Sequence, residues 1–153
     1  MLTIHSALMF IHVLAVIVWI GGLATLAMID LRLARERDPT GMRAFGRANA
    51  FVGRAVVGPA AGLAVLAGIA LSVKEDISFA TFWIDWALGG VAISLLMGAT
   101  LLRRIGNRLA GAVEVDAVGE RVSALRRRQL ALEAMNLLVL LSILWVMIFQ
   151  PTL

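Results

Sequence analysis

The side chains most able to carry chemistry in this 153-residue chain are its two histidines, His5 and His12. They lie seven residues apart, so a helix places them on one face, two turns apart, with Met9 between them. Imidazole and thioether suit copper, and a single imidazole can also ligate haem iron. Met9 could share one metal ion with either histidine. The two histidines could not share one, because their Cα atoms would be about 10.5 Å apart along a helix.

Four apolar stretches must position these residues, and they cover about residues 2–29, 55–73, 82–102 and 130–149. Each has close to or more than the roughly 20 residues that a helix needs to cross a bilayer. None alternates with period two as the strands of a membrane barrel do. The chain is 61% hydrophobic and 16% charged, which excludes a soluble globular enzyme. We therefore predict an all-α membrane protein, a single domain over residues 1–153, with four transmembrane helices in an antiparallel bundle.

The arginines predict the orientation of this bundle. They are concentrated in the connections 31–54 and 103–128, whereas the connection 74–85 has one cation, Lys74. The positive-inside rule places the arginine-rich connections in the cytoplasm and both termini outside, in a bacterial inner membrane. The net charge is only +4, so we expect a lipid bilayer rather than nucleic acid as the partner. The run Arg126–Arg128 is interpreted as a stop at the anionic inner leaflet. Three tryptophans fall near the predicted outer interface: Trp83, Trp86 and Trp145.

Small residues four positions apart occur along the second stretch, as Gly58 with Gly62 and Ala64 with Gly68, and along the third stretch. The candidates for packing are Gly58, Gly62, Gly68, Gly90, Ser94 and Gly98. Such residues let helix backbones approach closely in a bilayer. We expect them to line the interior seam of the bundle or to form the face of a homodimer or larger membrane complex.

Polar residues inside the apolar stretches are the candidates for function. His12 is predicted to lie roughly 9 Å below the outer interface, where ionisable groups usually face the bundle interior. It is expected to be a haem ligand, a metal ligand, a proton carrier, or a packing residue bonded to a neighbour such as Ser142. Glycines at its depth, such as Gly68, leave room for a flat cofactor or for helix contact. Asp30 and Glu133 are expected near the cytoplasmic interface, paired with arginines of the connections.

The segment HVLAVIVWIGGL, residues 12–23, resembles the first helix of the copper-resistance D type of integral membrane protein and related four-helix families. It is also similar to the start of the HemJ-type protoporphyrinogen oxidase, a haem enzyme. The resemblance implies a bacterial inner-membrane protein with His12 as a ligand. The lysine that the HemJ type carries after a tryptophan of its third helix has no counterpart in Trp83–Leu88.

Three functions are consistent with these observations. The first is handling of copper or haem b through His5, Met9 and His12. The second is a non-catalytic membrane subunit or scaffold that binds a partner through its glycine-rich helix faces. The third is a haem-dependent protoporphyrinogen oxidase. The chain has no cysteine, which excludes thiolate metal sites, and no recognisable catalytic motif, so an enzyme is not favoured.

Overall fold

The computed structural model describes residues 4–36, 39–78, 81–116 and 119–150, and these are helical apart from short connections. The elements are α1 (Ile4–Glu36), α2 (Pro39–Val52), π1 (Gly53–Val57), α3 (Gly58–Lys74), α4 (Phe82–Leu96), π2 (Met97–Leu102), α5 (Arg103–Val115) and α6 (Glu120–Phe149). Here π1 and π2 are π-helical segments that run without a break into their α-helical neighbours.

Four continuous helical units are long and apolar enough to cross a membrane. They are Ile4–Leu33, Thr40–Lys74, Phe82–Val115 and Glu120–Phe149. The described part of the chain contains no strand. The prediction of an all-helical membrane protein with four spans is confirmed.

The helices are longer than the apolar stretches. Much of the connections 31–54 and 103–128 continues the spans as α2, α5 and the first turns of α6. Alanine, leucine, glutamate and arginine all favour helix, so the backbone need not change where the apolar character ends. These extensions also bury their own apolar residues against each other: Met42, Leu109, Val113 and Val122.

The bundle has two halves, which we name by their ends. The arginine half contains α2, α5, the last turns of α1 and the first turns of α6. There α1 contacts α2 and α6, and α5 contacts α2 and α6, which closes a ring of four helices. The termini half contains α3, α4 and the rest of α1 and α6.

In the termini half, α1 packs along α3, α6 packs along α4, and α1 also touches α6. Of the described helices, α3 and α4 do not pack extensively on each other. The main core lies here, among Ala15, Trp19, Val57, Ala60, Ala61, Ala64, Ala87, Leu140 and Ile143. Alanines dominate the α3 side, so the two backbones come close and Trp19 of α1 is buried against them.

Candidate functional site

His12 is fixed by a hydrogen bond to the backbone of the neighbouring helix. Its Nδ1 lies 2.8 Å from the carbonyl oxygen of Ala64 on α3. A carbonyl oxygen only accepts, so Nδ1 carries a proton and donates it, and in the neutral tautomer Nε2 then holds the lone pair. Ala64 is 2% exposed, and its small side chain lets the ring reach the carbonyl. The arrangement leaves Nε2 as the ring atom available to a ligand.

Gly68 makes room for the imidazole of His12. A Cβ atom at this position would lie 3.0 Å from Cε1 of the ring, closer than a side chain normally packs. The glycine therefore seats the histidine against α3. Ser142, considered above as a neighbour of His12, has other contacts: Trp86 Nε1 donates to its Oγ at 3.3 Å, and its hydroxyl donates to the carbonyl of Val139 at 2.7 Å.

The other two predicted metal ligands lie in different surroundings. His5 Nδ1 is 2.8 Å from Glu75 Oε1, which joins the first turns of α1 to the end of α3. Met9 is 43% exposed on the surface of α1, whereas His12 is partly buried against α3. Within the described residues, no three or more histidine, aspartate or glutamate side chains come together as a metal site. His12 is thus the one member of the set that is held within the helix packing.

The small residues of the third span, in α4 and π2, differ in what they touch. Gly90 is buried, and a Cβ atom there would lie 2.8 Å from the side chain of Ile143 on α6. Ser94, one turn further, is 4% exposed. Gly98 has no atom of another described element within 4 Å of the Cβ position. Of these two glycines, Gly90 is the one that packs against α6.

On the second span, the exposed Gly58 and Gly62 face away from the other described helices. The Cβ position of Gly62 is open, and that of Gly58 meets only the carbonyl oxygen of Gly53 in the preceding π1. Of the three predicted glycines on the second span, Gly68 is the one that contacts another helix. The seam between α1 and α3 uses the alanines beside these glycines, in particular Ala61 and Ala64.

The arginine half contains a second polar region, which we call the polar stripe: Asp30, Arg126, Gln129, Glu133 and Asn136. The four α6 members recur at spacings of three and four, so they share one face of the helix. Four of the five side chains are buried, with Asp30 3% and Asn136 4% exposed, and Glu133 is half-buried. The same face continues into the termini half as Leu140 and Ile143, which are apolar.

Within the polar stripe, Arg126 joins three helices. Its Nη2 lies 3.3 Å from Asp30 Oδ1 on α1, and its Nη1 donates to the Met42 sulfur on α2 at 3.3 Å. Gln129 Nε2 donates to Glu133 Oε1 at 2.8 Å, one turn along α6. The expectation that Asp30 pairs with an arginine of the connections agrees with this geometry. The described partner of Glu133 is instead a glutamine.

Sequence reasoning missed Arg126 and Gln129 as buried residues. Arg126 was grouped with Arg127 and Arg128, but those two are exposed. The position around the helix axis distinguishes Arg126 from the other two. Arg126 lies seven residues before Glu133 and fourteen before Leu140, so it falls on the buried face of α6.

Four membrane-length helices, with polar groups buried between them, define an integral membrane protein of the four-span helical class. The family described as "Predicted integral membrane protein (DUF2269)" matches residues 6–151, so the chain belongs to this family. No curated protein and no solved structure matches it. The family match supports a membrane protein and gives no support to the resemblance to the copper-resistance D or HemJ types.

Proposed function

We propose that this integral membrane protein binds a redox cofactor, haem b in preference to copper, through Nε2 of His12. The observation that carries the proposal is the hydrogen bond from His12 Nδ1 to the Ala64 carbonyl. Histidines that ligate metals usually donate their other ring N–H to a carbonyl or carboxylate, which sets the tautomer and orients the ring.

Haem is preferred because one histidine suffices to hold it. A haem iron can be bound by a single proximal histidine, whereas copper sites draw on several protein ligands. The Nδ1 atom of His5 lies beside Glu75, and Met9 is exposed, so neither supports a copper site shared with His12. A second axial ligand, if there is one, would come from water or from another copy of the chain.

Spectroscopy of the purified protein tests this proposal. The wild type should show a Soret band, or bind haem on reconstitution, and metal analysis of the same sample tests copper. His12→Ala should lose the cofactor while still inserting in the membrane. His5→Ala is the matched control and should retain it. If the wild type contains neither metal nor chromophore and cannot be loaded with either, the proposal fails.

We infer that the arginine half faces the cytoplasm of a bacterial inner membrane. The support is that the helical extensions, which carry most of the arginines, all lie at one end of the bundle. A C-terminal reporter that is active only in the cytoplasm should stay inactive. The same reporter inserted between the first two spans should be active, and the reverse pattern would show the opposite orientation.

A partner-binding role is the second candidate function. Gly58 and Gly62 support it, because they lie exposed on α3 with no other described helix over them. Small residues on an exposed transmembrane face allow another helix to approach closely. Cross-linking in native membranes should capture a homodimer or larger complex that Gly62→Leu weakens. The hypothesis of a protoporphyrinogen oxidase stays a prediction, because the described residues do not test it.

A further inference from the structure

The polar stripe contains buried side-chain atoms that lack hydrogen-bond partners, and most of them are oxygens. Four buried side-chain oxygens have no hydrogen-bond partner among the described residues: Asp30 Oδ2, Gln129 Oε1, Glu133 Oε2 and Asn136 Oδ1. Within the polar stripe, Arg126 Nε is the one fully buried nitrogen of the described side chains that lacks a partner. Buried polar groups in proteins are nearly always paired. The unpartnered oxygens therefore indicate that a cation, a proton or water binds to them.

Arg126 can account for one of the four oxygens. Its guanidinium already lies beside the carboxylate of Asp30, and arginine–carboxylate pairs are commonly bidentate. A small rotation into that arrangement pairs Arg126 Nε with Asp30 Oδ2. Three acceptors then lack a donor, and all three are on α6: Gln129, Glu133 and Asn136.

The polar stripe also has an excess of one negative charge. The carboxylate of Asp30 pairs with the guanidinium of Arg126, whereas the described partner of the Glu133 carboxylate is the uncharged Gln129. The other charged side chains described on α1, α4, α5 and α6 are exposed, and π2, which packs against α6, has no ionisable residue. An uncompensated charge among packed transmembrane helices is costly, so it is normally paired or neutralised.

Glu133 is the near neighbour of both Gln129 and Asn136 on α6. Gln129, Glu133 and Asn136 follow each other at spacings of four and three on α6, where neighbouring Cβ atoms are about 5–6 Å apart. Gln129 and Glu133 are already in contact through a hydrogen bond of 2.8 Å. Carboxylate and amide oxygens are the ligands that hard cations prefer.

We propose that Glu133 binds one monovalent cation, either Na⁺ or a proton, together with an amide oxygen one turn away on α6, that of Gln129 or that of Asn136. One positive charge removes the excess negative charge. As Na⁺ it is coordinated by the free oxygens. As a proton on Glu133 Oε2 it creates an O–H group that donates to the amide oxygen of Gln129 or Asn136. The site is separate from His12 and does not depend on the cofactor proposal.

Thermal unfolding of the purified full chain in detergent tests the Na⁺ form. We expect the melting temperature to rise when choline is replaced by Na⁺ at constant ionic strength, by about 5 °C at ~100 times Kd. Glu133→Gln removes the charge and should abolish this dependence. Glu114→Gln changes an exposed glutamate and should leave it intact. Gln129→Ala or Asn136→Ala, whichever removes the coordinating amide oxygen, should weaken Na⁺ binding, and the two variants provide a second test if Glu133→Gln does not fold.

Infrared spectroscopy at neutral pH distinguishes the proton form. A protonated carboxylic acid gives a C=O band that ionised carboxylates lack. The proton form predicts no Na⁺ dependence and a carboxylic-acid band that is present in the wild type and absent from Glu133→Gln. If the melting temperature does not respond to Na⁺ and no such band is present, the unpaired oxygens bind only water and the proposal is wrong.

Discussion

The two halves of the bundle hold their helices together by different means. In the termini half, α1 meets α3 over alanines such as Ala61 and Ala64, and α4 meets α6 at Gly90. In the arginine half, α1 meets α6 through the ion pair of Asp30 and Arg126. One half depends on small side chains and close approach, whereas the other adds a buried ion pair to its cluster of larger apolar side chains.

The two halves differ because the middle of a bilayer and its interface favour different contacts between helices. Lipid tails are as apolar as leucine, so helices in the middle of a bilayer gain from close contact and interhelical hydrogen bonds rather than from the hydrophobic effect. Near the interface, an ion pair is less costly to bury and fixes which helices meet. Substitutions in the two halves should therefore destabilise the protein for different reasons.

The largest effect is expected from breaking the buried ion pair. Arg126→Met leaves the carboxylate of Asp30 buried without its cation, which should destabilise the protein by about 3–5 kcal/mol. Adding Asp30→Asn should recover much of the loss, because the unpaired charge is then removed. Arg127→Met, at the exposed neighbouring position, is the matched control and should change stability little. Unfolding followed by circular dichroism in detergent measures all four proteins. Equal effects of the Arg126 and Arg127 substitutions would contradict the pairing.

A smaller effect is expected at the contact between α4 and α6. Gly90→Leu would place a side chain against Ile143, where even a Cβ atom would lie 2.8 Å away, and overpacking of this kind costs about 1–3 kcal/mol. Gly89→Leu is the control, since its Cβ position is open. Ser94→Leu should likewise destabilise more than Gly98→Leu. The same unfolding assay ranks the pairs, and a Gly89 variant as unstable as the Gly90 variant would refute this packing.

The smallest effect is expected at the far end of the termini half. His5 and Glu75 lie 2.8 Å apart with 40% and 46% of their side chains exposed, and exposed pairs contribute at most about 1 kcal/mol. At a pH at which His5 is protonated, Glu75→Gln should therefore lower stability slightly at low salt and not at all at high salt. Unfolding at two salt concentrations checks this. A loss that persists in high salt would mean that the pair is less accessible to solvent than the structure indicates.

The sequence predicts the spans well because composition determines them. The four apolar stretches and the arginine-rich connections need no knowledge of neighbours. The ends of the helices were harder to predict, since the helices extend into charged segments where hydropathy falls but helix propensity does not.

The contacts were predicted less well, because they depend on how each helix is rotated and how far it is shifted along its neighbour. Composition does not separate Arg126 from Arg127, or Gly90 from Gly89. His12 was expected to find a polar partner, but its acceptor is the backbone of Ala64, and every residue has a backbone carbonyl. Only the register of α1 on α3 selects that carbonyl.

The segments π1 and π2 have a consequence for how the chain tolerates changes in length. A π-helical turn contains an extra residue relative to an α-helical turn. A one-residue deletion within Gly53–Val57 or Met97–Leu102 can therefore convert the wide turn to an ordinary one and leave both flanking segments in place. The same deletion within α1 or α6 would rotate one half against the other by about 100°. Natural insertions and deletions should accumulate in the second and third spans, while the first and fourth keep a constant length.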